Sequence, residues 1–144
     1  MIRFVVHGLA KPAGSKRAFV LRGGANAGRA IVTDANPNSR DWKNAVADAA
    51  SRAYSGPLLD GPLQVHFRFY RPRPRGHFNS KGALNKKGTA SLYPVSAPDV
   101  LKLARGVEDA MQGVIYFNDA RIVSEVIEKR WGEPARVEIE ITPL

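Results

Sequence analysis

The chain has 144 residues, enough for one hydrophobic core and too few for two ordinary ones. Its formal net charge is +9 and its pI about 10.3, a balance that points to a polyanionic partner. The lack of cysteine excludes disulfides and thiolate metal sites, and His7, His66 and His77 lack the spacing of zinc ligands. No apolar run is long enough to span a bilayer and no secretory segment opens the sequence, so a cytoplasmic setting is expected, with no membrane and no small-molecule cofactor.

Charge is unevenly placed. Residues 1–98 hold 16 Lys/Arg against four acids, a net of +12, whereas residues 99–144 hold six bases and nine acids, a net of −3. A basic binding face beside an acidic metal site produces such a split.

In chain order, Ile2 to Val6 alternates and predicts a strand. Gly8 to Arg17 contains two glycines, a proline and three bases. Such a loop can offer backbone N–H groups and cations to phosphate, or can be a solvated turn. Phe19–Leu21 and Ala30–Thr33 suggest a loose hairpin. Ser39 is a plausible N-cap for a helix with Trp42, Val46, Ala49, Ala50 and Ala53 on one face, ended by Gly56-Pro57. Trp42 is most simply a core anchor.

Pro62 to Arg71 has the cleanest pattern. Leu63, Val65, Phe67 and Phe69 point one way, and Gln64, His66, Arg68 and Tyr70 the other. From Arg71 to Pro98 the chain carries six Lys/Arg and no acid. We expect a basic loop that orders on nucleic acid, with His77, Phe78 and Tyr93 available to stack on unpaired bases.

A helix is then predicted from Asp99 to Gly113, with Val100, Leu103, Val107, Ala110 and Met111 as its buried stripe. Asp99 suits an N-cap as well as a metal site. Arg105 and Asp109, four apart, can pair on the helix surface. Asn118-Asp119 follows. A carboxylate from a helix start and one from a strand start, Asp99 and Asp119, can meet as a Mg²⁺ site requires. Ile122 to Trp131 fits helix or strand, and its β-branching favours strand. Val137, Ile139 and Ile141 mark the last strand. The expected fold is α/β (α+β): one compact domain over 1–144, a mixed sheet with two main helices and a basic loop at 71–98.

The stretch Pro98-Asp99-Val100-Leu101-Lys102-Leu103-Ala104-Arg105, then Asp109-Ala110-Met111-Gln112-Gly113 and Asn118-Asp119, resembles the RusA family of Holliday junction resolvases. So do the Gly8 to Arg17 loop and the Trp42 to Val46 helix. The resemblance implies a Mg²⁺-dependent crossover junction endodeoxyribonuclease of phage or prophage type, with Mn²⁺ able to substitute. It would be a homodimer acting on four-way or branched DNA in recombination and repair, in the host cytoplasm if phage-encoded. It assigns metal binding to Asp99 and Asp119 and catalytic assistance to Arg105, while Asn118, which stands where the family has the first aspartate of a pair, can still offer an amide oxygen. Lys16, Arg17, Arg73, Arg75, Lys86 and Lys87 would hold the DNA backbone. The sequence departs from the family at Leu101, where an aspartate is expected. Two alternatives follow: a RusA-like protein that binds junctions without cutting, and an RNA-binding accessory protein.

Overall fold

The computed structural model describes residues 1–13, 28 and 39–144 with their side chains, and the backbone alone of residues 16–20 and 30–34. Among the described residues the strands are β1 (Ile2–His7), β2 (Lys16–Val20), β3 (Ala30–Asp34), β4 (Leu63–Arg71), β5 (Ile122–Trp131) and β6 (Arg136–Pro143). The helices are α1 (Ser39–Ala53), α2 (Lys86–Ala90) and α3 (Val100–Met111). A four-stranded sheet runs β1-β6-β4-β5, and β2 pairs with β3 as a separate hairpin. β5 lies parallel to β4, and the other pairs in the large sheet are antiparallel, so the sheet is mixed.

Alternation of side chains along each strand explains the core. Val65, Phe67 and Phe69 of β4 and Val137, Ile139 and Ile141 of β6 are buried on one face. Trp42, Val46 and Ala50 of α1 and Leu103, Val107 and Met111 of α3 cover that face and complete the cluster. Gly106 is also buried within α3. A methyl there would sit 3.4 Å from the Lys11 carbonyl oxygen, so the glycine allows the N-terminal loop to lie against the helix. Gly113, with φ of 78°, takes the left-handed turn that leads off α3.

The opposite face of the sheet is a lattice of opposite charges. His66 meets Glu128 at 2.5 Å, and Arg68 reaches Glu140 at 3.3 Å. Arg130 also bonds Glu128, and that bond, ahead of the one from His66, holds the Glu128 carboxyl below its usual range. His66 and Arg68 are therefore occupied within the sheet.

The basic segment departs from the sequence expectation. It carries its own order: a short 3₁₀ turn at Arg75–His77, a Phe78–Leu84 bridge and the added helix α2. Asn85 caps α2 by accepting from Gly88 N–H, and its amide donates to the Gly76 carbonyl. These bonds organise the segment from within.

Candidate functional site

α3 packs against β5, and the alternation of β5 turns Glu125, Ile127, Lys129 and Trp131 to the face that Val65, Phe67, Phe69 and Arg71 occupy on β4. Two polar contacts fix how helix and strand align. Lys129 Nζ donates to the Ser96 and Pro98 carbonyls at 2.7 and 2.9 Å, just before α3 begins. Glu108, in the third turn of α3, is hydrogen-bonded to Glu125. The lengths agree. Asp99 to Glu108 spans ~13 Å of helix, and Lys129 back to Glu125 spans ~13 Å of strand. The helix thus runs antiparallel along the strand, and the strip between them is acidic at one end and basic at the other.

At the acidic end, the Glu108 carboxyl is raised to about 8. Partial burial is the first cause, followed by the bond to Glu125 and the charges of Glu125, Asp119 and Asp109. Burial and the same carboxylates hold the Tyr116 phenol up as well, and its hydroxyl donates to the Glu108 carbonyl at 2.7 Å. Asp119 reaches this end because its N–H donates to Gln112 Oε1 at 3.1 Å. Asp109 pairs with Lys43 of α1 at 3.4 Å, not with Arg105 as the spacing suggested.

At the basic end, Asp99 caps α3 by accepting from Lys102 N–H at 2.8 Å. Burial and then nearby Arg71 lower the Lys129 ammonium, while Asp99 opposes the shift. Arg71, itself lowered by burial, donates to the Ala10 carbonyl at 3.3 Å.

The expected meeting of Asp99 with Asp119 is not what the helix brings about. One caps the first turn and the other is tied to the residue after the last, with 12 residues, or ~18 Å, of α3 between them. Asn118 spends its side-chain oxygen on Ala120 N–H at 2.8 Å. Leu101 is exposed at 64%, and it shares the outward face of α3 with exposed Arg105 and with Glu108 at steps of four and three residues. Among the described residues Arg105 makes no ion pair.

Of the expected DNA contacts, Arg75, Lys86 and Lys87 are exposed on the ordered basic segment. Arg73 is spent internally: one nitrogen donates to the Gly88 and Ser91 carbonyls at 2.7 and 3.0 Å, and the guanidinium lies over Trp131. Lys16 and Arg17 fall on β2, and their side chains lie outside the described residues. In the N-terminal loop, Gly8 N–H bonds Ala135 O and Ala13 N–H bonds Lys102 O, so these two amides are not offered to phosphate. Sequence reading missed Glu125 and Lys129. Their signal was two charges flanking Ile127 on one parity of a strand whose partner parity was not known.

A carboxylate must lose its proton to ligate a cation, so the raised Glu108 group is not a ready ligand as it stands. Among the described residues no three acidic or histidine side chains already stand at ligand spacing, so the carboxylates repel one another without forming a ready cage.

The small mixed sheet thus carries an acidic helix–strand seam and, further along the chain, an ordered basic segment. The chain belongs to the RusA endodeoxyribonuclease family, whose sequence model matches residues 10–142. Nucleases of this family resolve Holliday junctions and generally depend on a divalent metal. The chain is also 32% identical over 140 residues to the uncharacterized protein YqaN of Bacillus subtilis strain 168, across 97% of this chain and 94% of that one. Among the described residues no helix is long and apolar enough to cross a membrane.

Proposed function

We propose that this chain is a structure-selective endonuclease that cuts four-way or branched DNA by Mg²⁺-dependent phosphodiester hydrolysis, with Mn²⁺ able to substitute. The observation that carries this reading is Glu108. It lies two turns beyond Leu101 on the same helix face and is bonded to Glu125 beside Asp119. The acid missing at position 101 is replaced from further along α3. Glu108, Asp119 and Glu125, which do not stand at ligand spacing by themselves, would have to draw together to hold the cation. When bound, it would polarise the phosphate and stabilise charge on the leaving oxygen.

The chain's own residues do the rest. Without a cation, the raised Glu108 carboxyl keeps its proton and so limits repulsion in the seam. Arg105, exposed on the same face, neutralises charge on the phosphate. Asp99 anchors the start of α3, and Lys129 holds the backbone that leads into it. Arg75, Lys86 and Lys87 position the DNA backbone, which sets orientation without reading sequence. Residues 1–144 act as one domain, and two copies placed about a two-fold axis match a junction that is cut in pairs. The setting is cytoplasmic, that of the bacterial host if the chain is phage-encoded.

One observation favours a second reading, junction binding without cutting: the exposed, apolar Leu101 stands where the family resemblance expects an aspartate. Cleavage of a labelled mobile four-way junction with Mg²⁺ or Mn²⁺, alongside Leu101→Asp, separates the two. Symmetric nicks by the unchanged protein support the enzyme. Tight binding without nicks, with cutting restored by Leu101→Asp, supports the binder.

A further inference from the structure

Beyond Lys129 on β5, Arg73, Phe78, Trp131, Gly132 and Glu133 line an open hollow of about 280 Å³. Its aromatic wall is held from several sides. The Trp131 indole N–H donates to Ser91 Oγ at 3.3 Å, and His77 meets the ring edge-on with centroids 5.4 Å apart. The Arg73 guanidinium lies 5.5 Å over the same ring and is itself fixed by the Gly88 and Ser91 carbonyls. Phe78 adds a second ring and remains 36% exposed.

We propose that this hollow takes one unpaired nucleobase of bound DNA, an inference that rests on the DNA-binding reading above. The lining selects a base over a phosphate. Glu133 repels a phosphate, while its carboxylate can accept from the N–H groups of a base edge. Aromatic faces stack on any base. The surroundings select nucleic acid, because the segment from 71 to 98 that carries Arg73 and Phe78 has six bases and no acid.

Position agrees with chemistry. Trp131 lies two residues from Lys129 along β5, ~7 Å away, and Lys129 holds the carbonyl of Pro98 just before Asp99. A DNA strand that follows the seam between α3 and β5 therefore passes the hollow. A base that is already unpaired at a branch point enters it at less cost than one inside a duplex.

The test uses the full chain and two four-way junctions. One carries a single unpaired nucleotide at the crossover, and the other an abasic residue at that position. The chain has two tryptophans, Trp42 and Trp131, so in a Trp42→Phe background the change in tryptophan emission on binding reports Trp131. The base-bearing junction should quench that emission and bind on the order of tenfold more tightly than the abasic one. Phe78→Ala should abolish the difference, and Phe78→Tyr should retain it. Equal affinity and equal emission for the two junctions would overturn the proposal and leave the DNA-binding reading standing. Failure to bind either junction would overturn both. Displacement of the base by equimolar N-acetyl-phenylalaninamide would reassign the hollow to a protein side chain.

Discussion

The carboxyl of Glu108 on α3 is hydrogen-bonded to that of Glu125 on β5, which joins two acids from separate elements in one seam. Partial burial, and then this bond and the neighbouring carboxylates, favour the protonated form of Glu108. The carboxyl of Glu108 accordingly sits at about 8, far above its ordinary 4.5.

That relationship sets a pH dependence for the metal-free protein. Between about 4.5 and about 8 the folded state binds a proton that the unfolded chain has released. Stability therefore falls as pH rises through this window and levels off above it. With solvent screening allowed for, we expect a loss of about 1–2 kcal/mol across the window. Glu108→Gln should flatten the curve, as read by urea denaturation in chelator at pH 5, 6.5 and 8. A slope that persists unchanged in the variant would assign the effect to other groups.

The same residue should matter to cutting far more than to binding. Glu108→Gln is expected to lower junction cleavage by about 100-fold or more, the scale of losing a group that stabilises transition-state charge. Junction affinity should stay within about threefold. Single-turnover cleavage and gel-shift titration measure the two separately, and parallel losses would place Glu108 in binding instead.

Exposed cations on the ordered basic segment predict a steep response to salt. Replacing Arg75, Lys86 and Lys87 together with alanine should reduce the slope of log affinity against log salt by about 2–3, roughly one unit per lost phosphate contact. An unchanged slope would mean that these three side chains do not touch phosphate.

Gly88 should tolerate no side chain. A Cβ there would run into the His77 carbonyl oxygen and Cβ and into the Leu84 side chain. Gly88→Ala should lower stability by about 1–3 kcal/mol, the usual cost of overpacking. Hydrogen exchange at residues 75–91 should quicken more than in the sheet. Protection equal to the unchanged protein would show that the segment's order does not depend on this contact.

Much of the fold was legible because local pattern and tertiary role coincide. Val65, Phe67 and Phe69 alternate in sequence and are buried together on one face of β4. Asp99 reads as an N-cap and accepts from Lys102 N–H as one. The basic segment was misread because charge density says nothing about backbone bonds. Arg73 looks like a DNA contact in a run of arginines, yet the Gly88 and Ser91 carbonyls and the Trp131 ring claim it.

Residue chemistry by itself determined the strands, the cap, the basic stretch, the departure at Leu101 and the family likeness, because each rests on neighbours within a few turns of chain. Which carboxylates meet was decided only in three dimensions. Asp99 and Asp119 flank one helix in sequence, but a rigid helix holds its ends apart, with ~18 Å over 12 residues. Glu108 and Glu125 come together because α3 lies antiparallel to an edge strand whose register with β4 turns Glu125 towards the core side. Periodicity gives a residue its face, but only packing chooses what that face meets.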